Sequence, residues 1–155
     1  MDVLDDFDGL LRWDRLNAWV VAQPAIPGRG PVTAVRRLTG GSQNNLFWCT
    51  RDGGEFVLRR PPTHLRPNSN ETMLREARVL AALAGTDVPH AELHAVCDDL
   101  DVIGVCFYAM TAVDGHSPLG GFQGTYHSDP SWQRAVAFSL IDAAAALGEV
   151  DVDAR

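Results

Sequence analysis

RRLTGGSQNNLFWCTRDGGEFVLRR, residues 36–60, reads as two strands joined by a tight turn, with a glycine-rich turn in front of them. The strands are LFWCT (46–50) and EFVLRR (55–60), and between them stands Asp52-Gly53, a strong short hairpin signal. Such a turn expects both central residues to tolerate positive φ. Pro61-Pro62 closes the return strand, because proline brings no N–H to a ladder. The earlier turn gathers Gly40, Gly41, Ser42, Gln43, Asn44 and Asn45, more polar hydrogen-bonding capacity than a plain loop requires. A further strand near Val32–Leu38 feeds into it.

Upstream, Phe7, Leu10, Trp13, Leu16, Trp19 and Val20 recur three or four apart, which predicts one amphipathic helix over residues 7–22, stopped by Pro24. Downstream, THLRPNSN (63–70) is a loop, and a helix is expected from Ser69 to Ala84. Asn68 and Glu71 form a capping-box pattern at its start, and Gly85 is a natural stop. Met73, Leu74, Ala77, Leu80, Ala81 and Ala84 make its apolar stripe. Glu76 lies three residues after Met73 and four before Leu80, on the flank of the buried face, where a carboxylate wants a partner. HAVC (94–97) and VIGVCFYAM (102–110) predict another antiparallel pair, turned at Asp98–Asp101. Residues 114–129, rich in glycine and polar side chains, form a connector. A last helix is expected to start with Asp129 as N-cap and Pro130 at its first position. It carries Trp132, Val136, Leu140, Ala143 and Leu147 at helical spacing and closes at Gly148.

The order is therefore helix, three strands, helix, two strands, connector, helix. Five antiparallel strands with one helix inserted after the third predict an α+β fold. At 155 residues the chain can bury about 70% of the surface its unfolded form exposes. The net charge of −7 argues against a nucleic-acid or anionic-membrane partner. Four of the thirteen basic residues come as the pairs Arg36-Arg37 and Arg59-Arg60, and none form a stripe, which suits local handling of an anion. The acidic start MDVLDDFD is unlike a targeting peptide, and the longest apolar runs are too short to span a bilayer, so the chain reads as cytoplasmic. Cys49, Cys97 and Cys106 have no CxxC spacing and read as core thiols.

The order of elements, with GGSQNN, FVLR, REARVLAAL and VIGVCFYAMTAVDG in their places, resembles the N-terminal lobe of the aminoglycoside phosphotransferase and choline-kinase-like family, which has a protein-kinase-like fold. The branch it is most similar to is associated with acyl-CoA dehydrogenases. The resemblance implies ATP as cofactor, a small-molecule hydroxyl as substrate, and Mg²⁺ held by residues of the other lobe. It also implies three segments: a nucleotide-binding N-lobe over 1–113, a connector over 114–128, and the start of a C-lobe from 129 to 155. Gly40, Gly41 and Asn44 match the family's phosphate-covering turn, with Gln43 where a serine is usual. Glycines there let backbone N–H groups approach an anion closely, although a well-formed hairpin turn has the same composition. Arg59 matches the phosphate-contacting cation, usually lysine, and Glu76 the helix glutamate that orients it. Met110, Thr111, Ala112 and Val113 match the hinge, where the Thr111 carbonyl and Val113 amide would hold adenine.

His127-Ser128-Asp129 looks like a catalytic H-x-D, but Arg134 stands where the metal-binding asparagine would be, and Asp129 before Pro130 is better explained as a cap. His90 and His94 lie four apart without the HExxH spacing, and Pro89 argues for a turn. The general base and metal-binding aspartate are expected in a second lobe, encoded in cis or separately, so these residues alone should have no kinase activity. A stand-alone nucleotide-sensing or protein-interaction module that docks through the last helix remains open, as does a structural domain without nucleotide.

Overall fold

A computed structural model describes residues 7–38, 44–115, 121–122 and 124–154. The chain divides into two compact units, one of residues 1–81 and 91–113 and one of residues 82–90 and 114–155.

The first unit is built on a five-stranded antiparallel sheet in the order β1-β2-β3-β5-β4. Its strands are β1 (Arg29–Leu38), β2 (Asn45–Asp52), β3 (Gly54–Arg60), β4 (Leu93–Cys97) and β5 (Phe107–Thr111). The hairpin at Asp52-Gly53 is present, with Arg51 opposite Gly54. Its turn differs from the expected type: among the described residues Arg12 alone departs to positive φ without being glycine, so Gly53 at +71° supplies the left-handed position by itself. Gly28 and Gly54 let the loop before β1 press against this turn, and a Cβ on Gly54 would sit 2.6 Å from the Pro27 carbonyl oxygen.

Strand alternation sorts side chains onto two faces. One face presents Val35, Phe47, Cys49, Phe56, Leu58, Phe107 and Ala109, and packs with Leu11, Leu16 and Val20 of the N-terminal helices into the main core. The expected single N-terminal helix is two, α1 (Asp8–Leu11) and α2 (Trp13–Val21). Arg12 between them takes a left-handed conformation with φ 44°, which lets both Leu11 and Leu16 reach the sheet fully buried. Periodicity alone does not reveal such a break, because the apolar spacing runs through it. Where β1 irregularly pairs around Val32, the freed amide of Val32 is met by the Asn17 side-chain oxygen at 2.9 Å. Arg51, 5% exposed, donates to the Val20 carbonyl at the C-terminal end of α2.

The opposite face carries α3 (Ser69–Leu83). Met73 and Ala77, buried, pack with Cys106 and Tyr108, and Leu74, Leu80, Leu93 and Met110 border them. The Asn70 side-chain oxygen accepts from the Cys106 amide at 2.9 Å, tying the helix to the chain entering β5. The expected strand over 102–110 is shorter. Its first part is a helical turn, α4 (Leu100–Ile103), capped by the Asp99 carboxylate on the Asp101 amide and ended by Gly104. A short apolar run fits a buried strand or a buried helical turn equally well, and the cap decides between them.

In the second unit, part of the connector forms α5 (Thr125–Ser128), followed by α6 (Pro130–Gly148). Asp129 caps α6, accepting from the Ser131 amide at 2.8 Å and its hydroxyl at 2.7 Å. Tyr126 and Trp132 meet edge-to-face at 5.3 Å. No residue of α6 is buried; Leu140 is 72% and Ile141 61% exposed.

Candidate functional site

Arg59 lies near the end of β3, directly opposite Leu46 on β2 and Tyr108 on β5. Leu38 on β1 faces Leu46 in turn, so one transverse row of the sheet reads Leu38, Leu46, Arg59, Tyr108. The adjacent row on that face is Arg36, Trp48, Val57, Met110, Leu93. Arg59 is thus a cation set in an apolar floor, and Arg36 is stacked on the Trp48 ring at 4.6 Å.

The partner comes from α3. Burial of Met73 and Ala77 fixes the helix rotation and turns Glu76 toward the sheet end of that stripe. Its Oε2 stands 3.0 Å from Arg59 Nη2, with the two side chains 28% and 30% exposed. The same oxygen accepts from the Tyr108 hydroxyl at 3.3 Å. Tyr108 is 3% exposed, and burial first, then the negative Glu76, push its phenol up to about 12 against the opposing pull of Arg59. It therefore stays a hydrogen-bond donor at every physiological pH. Sequence reasoning brought Arg59 and Glu76 forward but missed Tyr108. The usable signal was the register of β3 against β5, which a one-dimensional pattern does not contain.

Asn44 and Glu76 line one open cleft of about 690 Å³, between Pro61-Pro62, the loop through His64 and Arg66, and the first turns of α3. Thr111 ends β5, three residues beyond Tyr108, about 10 Å along the strand by its ordinary rise. Its amide donates to the Glu92 carbonyl at 2.9 Å. Val113 follows β5 and is 66% exposed. Gly40, Gly41 and Gln43 lie outside the described residues.

His90, His94 and the cysteines are accounted for locally. His90 Nδ1 is 2.6 Å from the Val88 carbonyl, and His94 Nε2 is 3.5 Å from the Thr111 hydroxyl. Among the described residues no three His, Cys, Asp or Glu side chains are grouped so as to hold a metal ion. The cysteines are free and buried, and burial pushes the Cys49 thiol up to about 12 and the Cys97 thiol up to about 11. No helix among the described residues is long and apolar enough to cross a membrane.

Comparison with known proteins adds three findings. Residues 34–155 match the model of the phosphotransferase enzyme family. Acyl-CoA dehydrogenase family member 11 of Gallus gallus is 36% identical over 83 residues, covering 53% of this chain and 11% of that protein. The Rattus norvegicus protein of the same name is 27% identical over 136 residues, covering 82% of this chain and 17% of that protein. The chain thus spans less than a fifth of these relatives. Among solved structures, a candidate aminoglycoside phosphotransferase from Ralstonia eutropha superposes with a TM-score of 0.52 at 36% identity. That superposition covers 66% of this chain and 28% of the other. The chain belongs to the phosphotransferase enzyme family, and its five-stranded sheet with inserted helix is that family's kinase-like N-terminal lobe.

Proposed function

We propose that this chain supplies the nucleotide-binding lobe of a phosphotransferase that moves the γ-phosphate of ATP to a hydroxyl group of a small molecule. The observation that carries the reading is the Arg59–Glu76 ion pair at 3.0 Å, formed between a strand and a helix far apart in sequence. A guanidinium so held is preorganised for phosphate oxygens, since its fork matches their geometry and its position is set before the ligand arrives. Glu76 orients Arg59, and Tyr108 orients Glu76. The turn of Gly40, Gly41, Gln43 and Asn44 covers the phosphates with backbone N–H groups. The Thr111 carbonyl and Val113 amide hold the adenine edge, with Val57 and Met110 as apolar floor beneath it.

The donor set fits a nucleotide. It does not by itself fit Mg²⁺, for want of grouped carboxylates among the described residues. The catalytic base and metal ligands are assigned to a C-lobe, continuous with this chain or separately encoded, which would cover the exposed face of α6. The 155 residues alone are then catalytically silent. The setting is cytoplasmic, where ATP is abundant. Kinship with proteins named for acyl-CoA dehydrogenase favours a hydroxylated acyl substrate over an aminoglycoside.

Calorimetric titration of ATP into the chain and into Arg59→Gln tests the reading. Saturable binding weakened at least tenfold in the variant supports it; equal binding by both, or no binding to the chain joined to a C-lobe, overturns it. ATP hydrolysis by the pure chain would refute its catalytic silence. A second reading is favoured by Phe138, Leu140, Ile141 and Leu147, each more than half exposed on α6: a module that docks a protein partner. A defined dimer in solution, broken by Leu140→Glu and insensitive to ATP, would favour that reading.

A further inference from the structure

Arg60 follows Arg59 on β3, and strand alternation sends its side chain to the other face of the sheet. There it stands opposite Asn45 of β2. Arg60 is 5% exposed and Asn45 4%. Arg60 Nε and Nη1 are buried, and neither finds a hydrogen-bond partner. Burial first, and then the positive charge of Arg37, work against the charged form of Arg60. Arg37 donates through Nη2 to the Asn45 side-chain oxygen, and the Asn45 amide nitrogen in turn reaches the Pro61 carbonyl and the Thr63 hydroxyl, both at 3.5 Å. Asn45 is thereby oriented to hold Arg37 beside Arg60.

Two other buried or half-buried arginines of this sheet show what is missing. Arg51 is equally covered and leaves its Nε without a partner, but its Nη1 meets the Val20 carbonyl at the negative end of α2. Arg59 has Glu76. Neither Arg37 nor Arg60 makes a salt bridge among the described residues. A buried cation with two unsatisfied donors beside a second cation is costly unless an anion completes it.

We propose that Arg37 and Arg60, with Asn45, form a second oxyanion site for a phosphate group, on the sheet face opposite Arg59. Phosphate fits better than a single carboxylate because its charge of about −2 balances two guanidiniums and its oxygens accept from several N–H groups at once. Arg37 stands on β1, Asn45 on β2 and Arg60 on β3, so an anion there ties three neighbouring strands together. It is separate from the nucleotide reading: Arg59 and Arg60 point to opposite faces, and one small anion cannot reach both.

The test uses the whole chain carrying Arg59→Gln, which removes the other phosphate-binding cation. Inorganic phosphate and ATP are titrated separately by calorimetry, against chloride at matched ionic strength. Saturable binding of inorganic phosphate identifies a free-phosphate site. Binding of ATP without inorganic phosphate identifies the phosphate of a larger ligand. In either case adding Arg37→Gln weakens binding at least tenfold, and adding Arg60→Gln does the same. Arg37 is exposed, so its variant decides the matter even where Arg60→Gln fails to fold. No binding of either anion to Arg59→Gln, or binding that survives Arg37→Gln, overturns the proposal.

Discussion

Glu76→Gln is the sharpest probe of how this lobe is held together. The substitution keeps the shape of the side chain and removes its charge. One oxygen, Oε2, serves both Arg59 at 3.0 Å and Tyr108 at 3.3 Å, and the amide oxygen of glutamine can take its place and accept from both, so what is lost is the charge. The gross attraction at this separation is roughly 5 kcal/mol at an effective dielectric near 20. Most of it is offset by desolvation and by ordering two long side chains. An exposed pair nets about 0.2–1 kcal/mol, and breaking a buried one costs about 3–5. With exposures of 28% and 30% this pair falls between, at about 1.5 kcal/mol. Urea unfolding should show that loss, and the thermal midpoint should fall by about 3–6 °C for a chain of this size. A double-mutant cycle with Arg59→Gln should return about 1 kcal/mol of coupling, because removing both partners leaves no stranded charge. If Glu76→Gln unfolds within about 0.3 kcal/mol of the parent and the cycle is additive, the pair contributes nothing and the positioning argument fails.

Three further outcomes are expected. Gly54→Ala should destabilise the first unit by about 3 kcal/mol or prevent soluble expression, because the new methyl meets the Pro27 carbonyl oxygen at 2.6 Å; circular dichroism on urea titration reads it, and a neutral result would show that the loop gives way. Stability should fall as pH rises above about 9, since burial holds the Cys49 thiol at about 12, Cys97 at about 11 and the Tyr108 phenol at about 12, while the unfolded groups ionise near 9 and 10. Raised folded values mean that this contribution is complete below the unfolded values and is lost as pH rises from them through the folded values, so flat urea midpoints from pH 8 to 11 would contradict the burial of these groups. The Ser131 hydroxyl and amide hold the Asp129 carboxyl below its ordinary range, a contribution present at neutral pH and lost as pH falls through the folded value. Asp129→Ala should therefore lower far-ultraviolet helicity at neutral pH and remove part of its decline below about pH 4; unchanged helicity would deny Asp129 its capping role.

Much of this architecture was written in local pattern. The hairpin at Asp52-Gly53, the helix that carries Glu76 and the cap at Asp129 depend on residues within a few positions of one another, so turn chemistry, periodicity and capping exposed them. The misjudged places are those where two local readings were equally good. The apolar spacing from Phe7 to Val20 continues through Arg12, and the left-handed Arg12 breaks the helix where both Leu11 and Leu16 join one core. The run after Asp101 suits a strand or a helical turn, and packing beneath α2 selects the turn.

By itself, then, the sequence determined most of the strands and helices, which faces are apolar, and that Glu76 flanks a buried stripe, while Arg59 came forward through the family resemblance. Only the tertiary structure decided that they meet, that Tyr108 completes the cluster from β5, and that Arg60 is left buried beside Arg37 without a counter-charge. The physical reason is range. Periodicity and capping act over a turn of helix or one hairpin, whereas the register of β3 against β5 and the rotation of α3 follow from packing the whole sheet at once.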